Sequence, residues 1–122
     1  MEFRILIADD HALFRRTLCR FVAGRVPSGV IVEAADGEEA VRSALAHGPV
    51  LALMDVQMPH RTGIDAAREI RRLCLDCRIV LYSGHDLPAS LVTGAREADA
   101  FVLKENVFAE LPRQIELCRV NT

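Results

Sequence analysis

Glycine and proline are scarce in this 122-residue chain, at 7 and 5 residues, and they gather in no single stretch. Low-complexity segments, internal repeats and a linker between domains are therefore excluded. No apolar run approaches the ~20 residues that a membrane-spanning helix requires. The opening Met-Glu-Phe-Arg-Ile-Leu-Ile-Ala-Asp-Asp meets acids too early for a secretory signal. A basic excess is missing as well: 15 Lys and Arg face 17 Asp and Glu, for a net charge of −2. That balance argues against a nucleic-acid grip and against a polybasic membrane patch. A Gly-x-x-x-x-Gly-Lys nucleotide loop is also lacking. What remains is half apolar and a quarter charged, the balance of one soluble domain able to bury a real core. A cytoplasmic location is the expectation.

Cysteine is present but not in a ligand pattern. Cys74 and Cys77 form a C-x-x-C, yet no second pair stands at a spacing suited to tetrahedral zinc. They read as a helix-end thiol and a loop thiol three residues apart. Cys19 and Cys118 fall within apolar helical patterns and read as small core residues.

Apolar runs and helical patterns alternate. Phe3 to Ala8 is a short run with little polarity, as in a strand covered on both faces. From about His11 to Ala23 the period changes, with Phe14, Leu18, Phe21 and Val22 on one helical face and arginines largely on the other. Pro27-Ser28-Gly29 breaks the chain before a second strand, Val30 to Ala35. Asp36 and Glu39 predict a capped helix start, and Gly48-Pro49 the stop after His47. Val50 to Met54 predicts a third strand, ending on Asp55. After the loop Val56 to Gly63, Thr62 can cap a helix through about Leu73. Arg78 to Tyr82 predicts the fourth strand. A weaker helix, Leu87 to Glu97, is interrupted by Gly94, and Ala100 to Leu103 makes the fifth strand. Phe108, Leu111, Ile115 and Cys118 stripe a final helix. Five strands alternating with five helices imply an α/β fold with a doubly wound parallel sheet.

Ligands of such a sheet bind beyond the carboxyl ends of its strands. Asp9 and Asp10 follow the first strand, Asp55 ends the third, Ser83 follows the fourth and Lys104 the fifth. Three carboxylates at one rim repel each other and call for a hard cation such as Mg²⁺. A carboxylate there can act as nucleophile toward a phosphoryl group, with the ion, a Lys and a hydroxyl steadying the equatorial oxygens. Singly, each residue has a plainer explanation: Asp9 or Asp10 as a cap of the first helix, Lys104 as a solvated side chain. The ordered set, one group per strand end, has none.

The sequence resembles response-regulator receiver domains of two-component signalling along nearly its whole length. The matching pieces are Ile-Leu-Ile-Ala-Asp9-Asp10-His, Ala-Leu-Met-Asp55-Val-Gln-Met-Pro59 with Gly63, Ser83 after Ile-Val-Leu-Tyr, and Phe101-Val-Leu-Lys104. The resemblance implies a flavodoxin-like (βα)5 fold with strand order 2-1-3-4-5, residues 1–122 forming one receiver domain. It implies that Asp55 accepts a phosphoryl group from a sensor histidine kinase. Asp10, Asp55 and the backbone carbonyl of Gln57 would hold Mg²⁺ or Mn²⁺, with Asp9 assisting through water. Ser83 and Lys104 would contact the phosphoryl oxygens, and Phe101 would be the switch aromatic that packs inward as Ser83 moves. A homodimer through the face of the fourth helix, fifth strand and final helix is a further implication. The Asp-Asp-His-Ala-Leu-Phe-Arg-Arg opening looks most like receivers joined to LuxR-type DNA-binding domains. No such domain is present in these residues, and Arg-Val-Asn-Thr has the look of a linker start.

Some positions depart from that family's pattern. Ser83 replaces the commoner Thr, and Gly84 a small Ala. Glu97 and Ala100 stand where Gly is frequent, and Glu105 where Pro is frequent, which makes a cis bond after Lys104 unexpected. No catalytic group is lost. Two rival readings remain: a pseudo-receiver that binds partners without phosphorylation, and a haloacid-dehalogenase-type phosphatase. The latter wants an acid where Gln57 stands. His11, His60 and His85 lie near the rim and read as loop histidines rather than ligands, with His85 placed to tune access of water to an acyl phosphate.

Overall fold

The computed structural model describes residues 3–73, 76–84 and 96–120. Its five parallel strands are β1 Arg4–Ala8, β2 Val30–Ala34, β3 Leu51–Asp55, β4 Arg78–Ser83 and β5 Ala100–Leu103, ordered β2-β1-β3-β4-β5. The described helices are α1 Ala12–Arg25, α2 Gly37–His47, α3 Gly63–Leu73 and, after a 3-10 turn at Lys104–Asn106, α4 Val107–Val120. This is the doubly wound sheet and strand order expected. The helix expected at Leu87 to Glu97 lies outside the described residues except at its end, where Arg96 and Glu97 form a turn. Cys74 and His85 also lie outside.

Two cores form because strand side chains alternate between faces. Leu6, Ala8, Ala52, Met54, Ile79 and Leu81 face α2 and α3; Ile5, Ile7, Leu51, Leu53, Val80 and Tyr82 face α1 and α4. Burial on both faces is why the central strands lack polar alternation. Ala40, Ala44, Ala66 and Ala67 keep the α2 and α3 backbones close to the sheet. Of the predicted stripe, Leu111, Ile115 and Cys118 are buried as expected, whereas Phe108, like Cys19, is only half-buried. Burial pushes the thiols of Cys19 and Cys118 up to about 11, so neither is a ready nucleophile.

The ends of the elements follow local chemistry, with some shifts. Asp36 caps α2 by accepting from the Glu39 N–H at 2.8 Å, and Thr62 Oγ1 accepts from the Asp65 N–H at 3.1 Å. Gly48 closes α2 in the left-handed region at φ 55°. α1 runs on to Arg25, past the expected end at Ala23, because Val22 and Val26 are both buried and a Val26 N–H to Val22 carbonyl bond continues the turn. β4 includes Ser83, so the hydroxyl belongs to the strand itself. α4 continues through Pro112, held by its buried stripe. All described peptide bonds are trans. Among the described residues, no helix is long and apolar enough to cross a membrane.

Replacing Asp36 with Ala is expected to cost about 1 kcal/mol through loss of the α2 cap. Urea unfolding at neutral pH checks it, and an unchanged midpoint would mean the Glu39 N–H finds an equal partner in water.

Candidate functional site at the carboxyl rim of the sheet

Strand order reverses between β1 and β3, so the chain leaves their carboxyl ends in opposite directions and opens a crevice there. The register Ala8↔Met54, Asp55↔Tyr82 and Ser83↔Leu103 brings the strand ends to one rim. Asp9, Asp10, Asp55, Ser83 and Lys104 therefore converge, as the sequence order predicts.

Asp9 is fully buried, and its carboxylate is surrounded by donors. Oδ2 accepts from the Tyr82 hydroxyl at 2.7 Å; Oδ1 accepts from the His11 N–H at 2.8 Å. Its carbonyl accepts from Arg15 Nη1 at 2.6 Å, and Arg15 Nε also donates to Glu33 at 2.9 Å. Asp55 is 3 % exposed, with Oδ1 accepting from the Gln57 N–H at 3.1 Å. Burial raises its pKa; the Gln57 N–H and the Lys104 ammonium oppose this, while Asp9 and Asp10 push it up further. Asp10 lies at the mouth, its side chain 35 % exposed. Neither acid caps α1. His11 holds the N-cap position, and its ring caps no N–H of the helix but lies 3.1 Å from Asp9 Oδ1, so the plainer explanation of the acidic pair is not what the structure contains.

Lys104 Nζ lies 3.6 Å from Asp9 Oδ2 and 3.6 Å from Asp55 Oδ2. It sits 4.3 Å above the centroid of the Phe14 ring, a cation–π seat that aims the ammonium into the crevice. Ser83 is fully buried on β4, opposite Leu103. Phe101 is half-buried on β5, packed against the α2/α3 core. Gln57 is exposed beside Asp55.

Asp9, Asp10, His11 and Asp55 each bring a ligand atom within 4.8 Å of the others. The His11 Nδ1 lies 3.1, 3.4 and 3.9 Å from the carboxylates of Asp9, Asp10 and Asp55, central to all three. His60, by contrast, is 3.9 Å from Asp36 and apart from the acids. Two buried carboxylates with a third at the mouth and one ammonium leave negative charge uncompensated. That donor set fits a small, hard, partly hydrated divalent cation.

Tyr82, Arg15 and Phe14 are site residues that the sequence reading missed. Tyr82 carries a usable signal: a hydroxyl inside an otherwise apolar, doubly covered strand must find a buried partner. Arg15 and Phe14 carry none, since a helical face alone does not say which strand end it overhangs.

An acidic crevice and a lysine at the switch point of a doubly wound sheet define a class of phosphate-and-cation sites. Within that class the assignment is specific, because the profile of the response regulator receiver domain matches residues 5–116. The chain belongs to the response regulator receiver family, whose members act as signalling switches. It is 40 % identical over 118 residues to the transcriptional regulatory protein PdtaR of Mycobacterium tuberculosis, covering 93 % of this chain and 55 % of that protein. A LuxR-family two-component response regulator from Aurantimonas sp. SI85-9A1 superposes with TM-score 0.82 at 33 % identity, covering 96 % of this chain and 84 % of that one. The regulator TrrA of Thermotoga maritima, solved in complex with Mg²⁺-BeF, superposes with TM-score 0.85 at 29 % identity over 97 % and 99 % of the two chains. The chain spans about half the length of the first curated relatives it matches.

Proposed function

We propose that this chain is a phosphoacceptor switch in which Asp55 receives a phosphoryl group from a phosphohistidine on a sensor histidine kinase. Asp55 Oδ2 attacks phosphorus, the P–O bond forms as the P–N bond breaks, and the imidazole nitrogen leaves with its electron pair and takes up a proton. Asp10, Asp55 and the Gln57 carbonyl, with Asp9 behind them, would hold Mg²⁺ or Mn²⁺. Such an ion supplies charge neutralisation between nucleophile and incoming phosphoryl oxygens. The Gln57 N–H holds Asp55 Oδ1 and leaves Oδ2 toward Lys104. Lys104 then pairs with the transferred group, as does the Ser83 hydroxyl. Movement of Ser83 toward the phosphate opens space for Phe101, which goes from half-buried to packed, a two-state element biased by local charge.

The observation that carries this reading is the meeting of three carboxylates within one cation's reach, with the Lys104 ammonium equidistant from the two buried ones. The Mg²⁺-BeF complex of TrrA supports it. Residues 1–122 are assigned to the receiver unit. The regulated output is proposed to be transcription, through a DNA-binding domain of the LuxR-type kind, with pairing of two receivers through the β5 and α4 side.

Intact-mass spectrometry after incubation with acetyl phosphate tests it. One added phosphoryl group, present with Mg²⁺ and absent with chelator, is the expected result. A folded protein that takes up no phosphoryl group from several donors and binds no beryllofluoride would instead be a constitutive binding module.

A further inference from the structure

Tyr82 is the single tyrosine of a chain without tryptophan, and it stands on β4 directly before Ser83. In register it pairs with Asp55 of β3 and Val102 of β5, while its hydrogen-bond partner Asp9 follows β1, beyond β3. The phenol therefore spans β3 to meet a carboxylate two strands away, roughly 10 Å across the sheet. Both residues are fully buried. Phenylalanine would fill the same apolar space without bringing a hydroxyl to be satisfied.

The direction of the phenol is fixed by packing rather than by Asp9. Its ring lies 5.8 Å from that of Phe14, which lies 5.7 Å from Phe108 in α4. Phe14 is also the ring beneath Lys104. Asp9 Oδ2 is thus held between the phenol and the Lys104 ammonium, and Oδ1 is turned toward His11, on the side where Asp10 and Asp55 gather.

We propose that Tyr82 is a positioning residue of the cation site: its hydroxyl fixes the rotation of the Asp9 carboxylate, so that Asp9, Asp10 and Asp55 present oxygens to one divalent ion. The inference rests on the phosphoacceptor reading and deepens it. Without the hydroxyl, Asp9 keeps the His11 N–H on Oδ1 and the Lys104 ammonium beside Oδ2 but loses the hydrogen bond that opposes Lys104, and its carboxylate turns further toward that ammonium. A merely structural tyrosine would change stability alone. A positioning tyrosine changes ion affinity in a folded protein.

The test is calorimetric titration of the unphosphorylated protein with MgCl₂, comparing wild type with Tyr82→Phe. The expected result is an apparent Kd about tenfold weaker in the variant, with an unchanged far-UV spectrum, as follows from loss of a hydrogen bond to a charged acceptor. Wild-type affinity in Tyr82→Phe overturns the proposal and leaves the phosphoacceptor reading standing. Absence of Mg²⁺ binding in wild type overturns both. A second measurement needs no variant: emission of the lone tyrosine in wild type is expected to change on Mg²⁺ addition with the calorimetric midpoint. Emission that stays flat while the ion binds overturns the proposal as well.

Discussion

Asn in place of Asp55 is expected to abolish phosphoryl uptake and, in metal-free protein at neutral pH, to raise the unfolding temperature by roughly 3–8 °C. The two effects share one cause. Asp55 is buried among Asp9 and Asp10, and burial first, then its acidic neighbours, raise its pKa against the pull of the Gln57 N–H and Lys104. A carboxyl whose pKa is higher in the folded state contributes stability that is fully present below its ordinary value of 3.8 and is lost as pH rises through the raised one. Wild type therefore carries a destabilising charge at neutral pH, which Asn removes without altering side-chain size. The advantage of the variant should shrink as pH falls through that raised value, where wild-type Asp55 takes up a proton. Mg²⁺ should reverse the order: at a hundredfold excess over Kd it adds about 2.7 kcal/mol to wild type and little to a variant missing a ligand charge. Thermal scans at several pH values, with and without Mg²⁺, check each part. Equal unfolding temperatures for the two metal-free proteins at pH 7 would show that the crevice already neutralises Asp55.

Asp55 and its companions are legible in the sequence because each stands where an apolar run stops. In a parallel, doubly wound sheet every such stop falls on the same rim, so chain order alone brings Asp9, Asp10, Asp55, Ser83 and Lys104 together. The strands are legible for a related reason. Burial on both faces leaves Ile5 to Ala8 and Leu51 to Met54 without polar interruption, and helices between them show a 3.6 period instead. What cannot be read depends on distances across the sheet rather than along the chain. The Tyr82 hydroxyl signals a buried partner, but which group it meets emerges only once β4 is placed two strands from β1. Arg15 sits on the face that reads as solvent-facing, yet it reaches the Asp9 carbonyl because α1 overhangs β1 and β2. The end of α1 lies two residues beyond the expected one, since Gly24 and Arg25 carry no stop signal strong enough to outweigh the burial of Val26. His11 reads as a loop histidine from composition alone; its place among the carboxylates follows from the backbone path out of β1.

Gly63→Ala is expected to be the most destabilising small substitution at the rim, at about 2–4 kcal/mol. A Cβ built on Gly63 would lie 2.2 Å from the Asp55 carbonyl oxygen and 2.9 Å from its carbon. Both are backbone atoms of a central strand, paired into β1 and β4 on either side through the sheet, and cannot step aside as a flexible side chain could. The Gly63 N–H also donates to the Val56 carbonyl at 2.9 Å, so α3 begins pressed against the chain that carries Asp55. Glycine is required there by close approach rather than by an unusual φ. Gly24 provides the contrast within the same protein. It lies inside α1 with open space for at least 4 Å around the place a methyl would take, so Ala there should stabilise by up to about 1 kcal/mol. Urea midpoints for the two variants should move in opposite directions. Phosphoryl uptake should be unaffected in Gly24→Ala, while in Gly63→Ala it should fall even under conditions where the protein remains folded, because the backbone that must yield is the one holding the nucleophile. A Gly63→Ala protein with wild-type stability and uptake would mean that α3 can slide along the sheet, and that the position of Asp55 is set by its strand pairing alone.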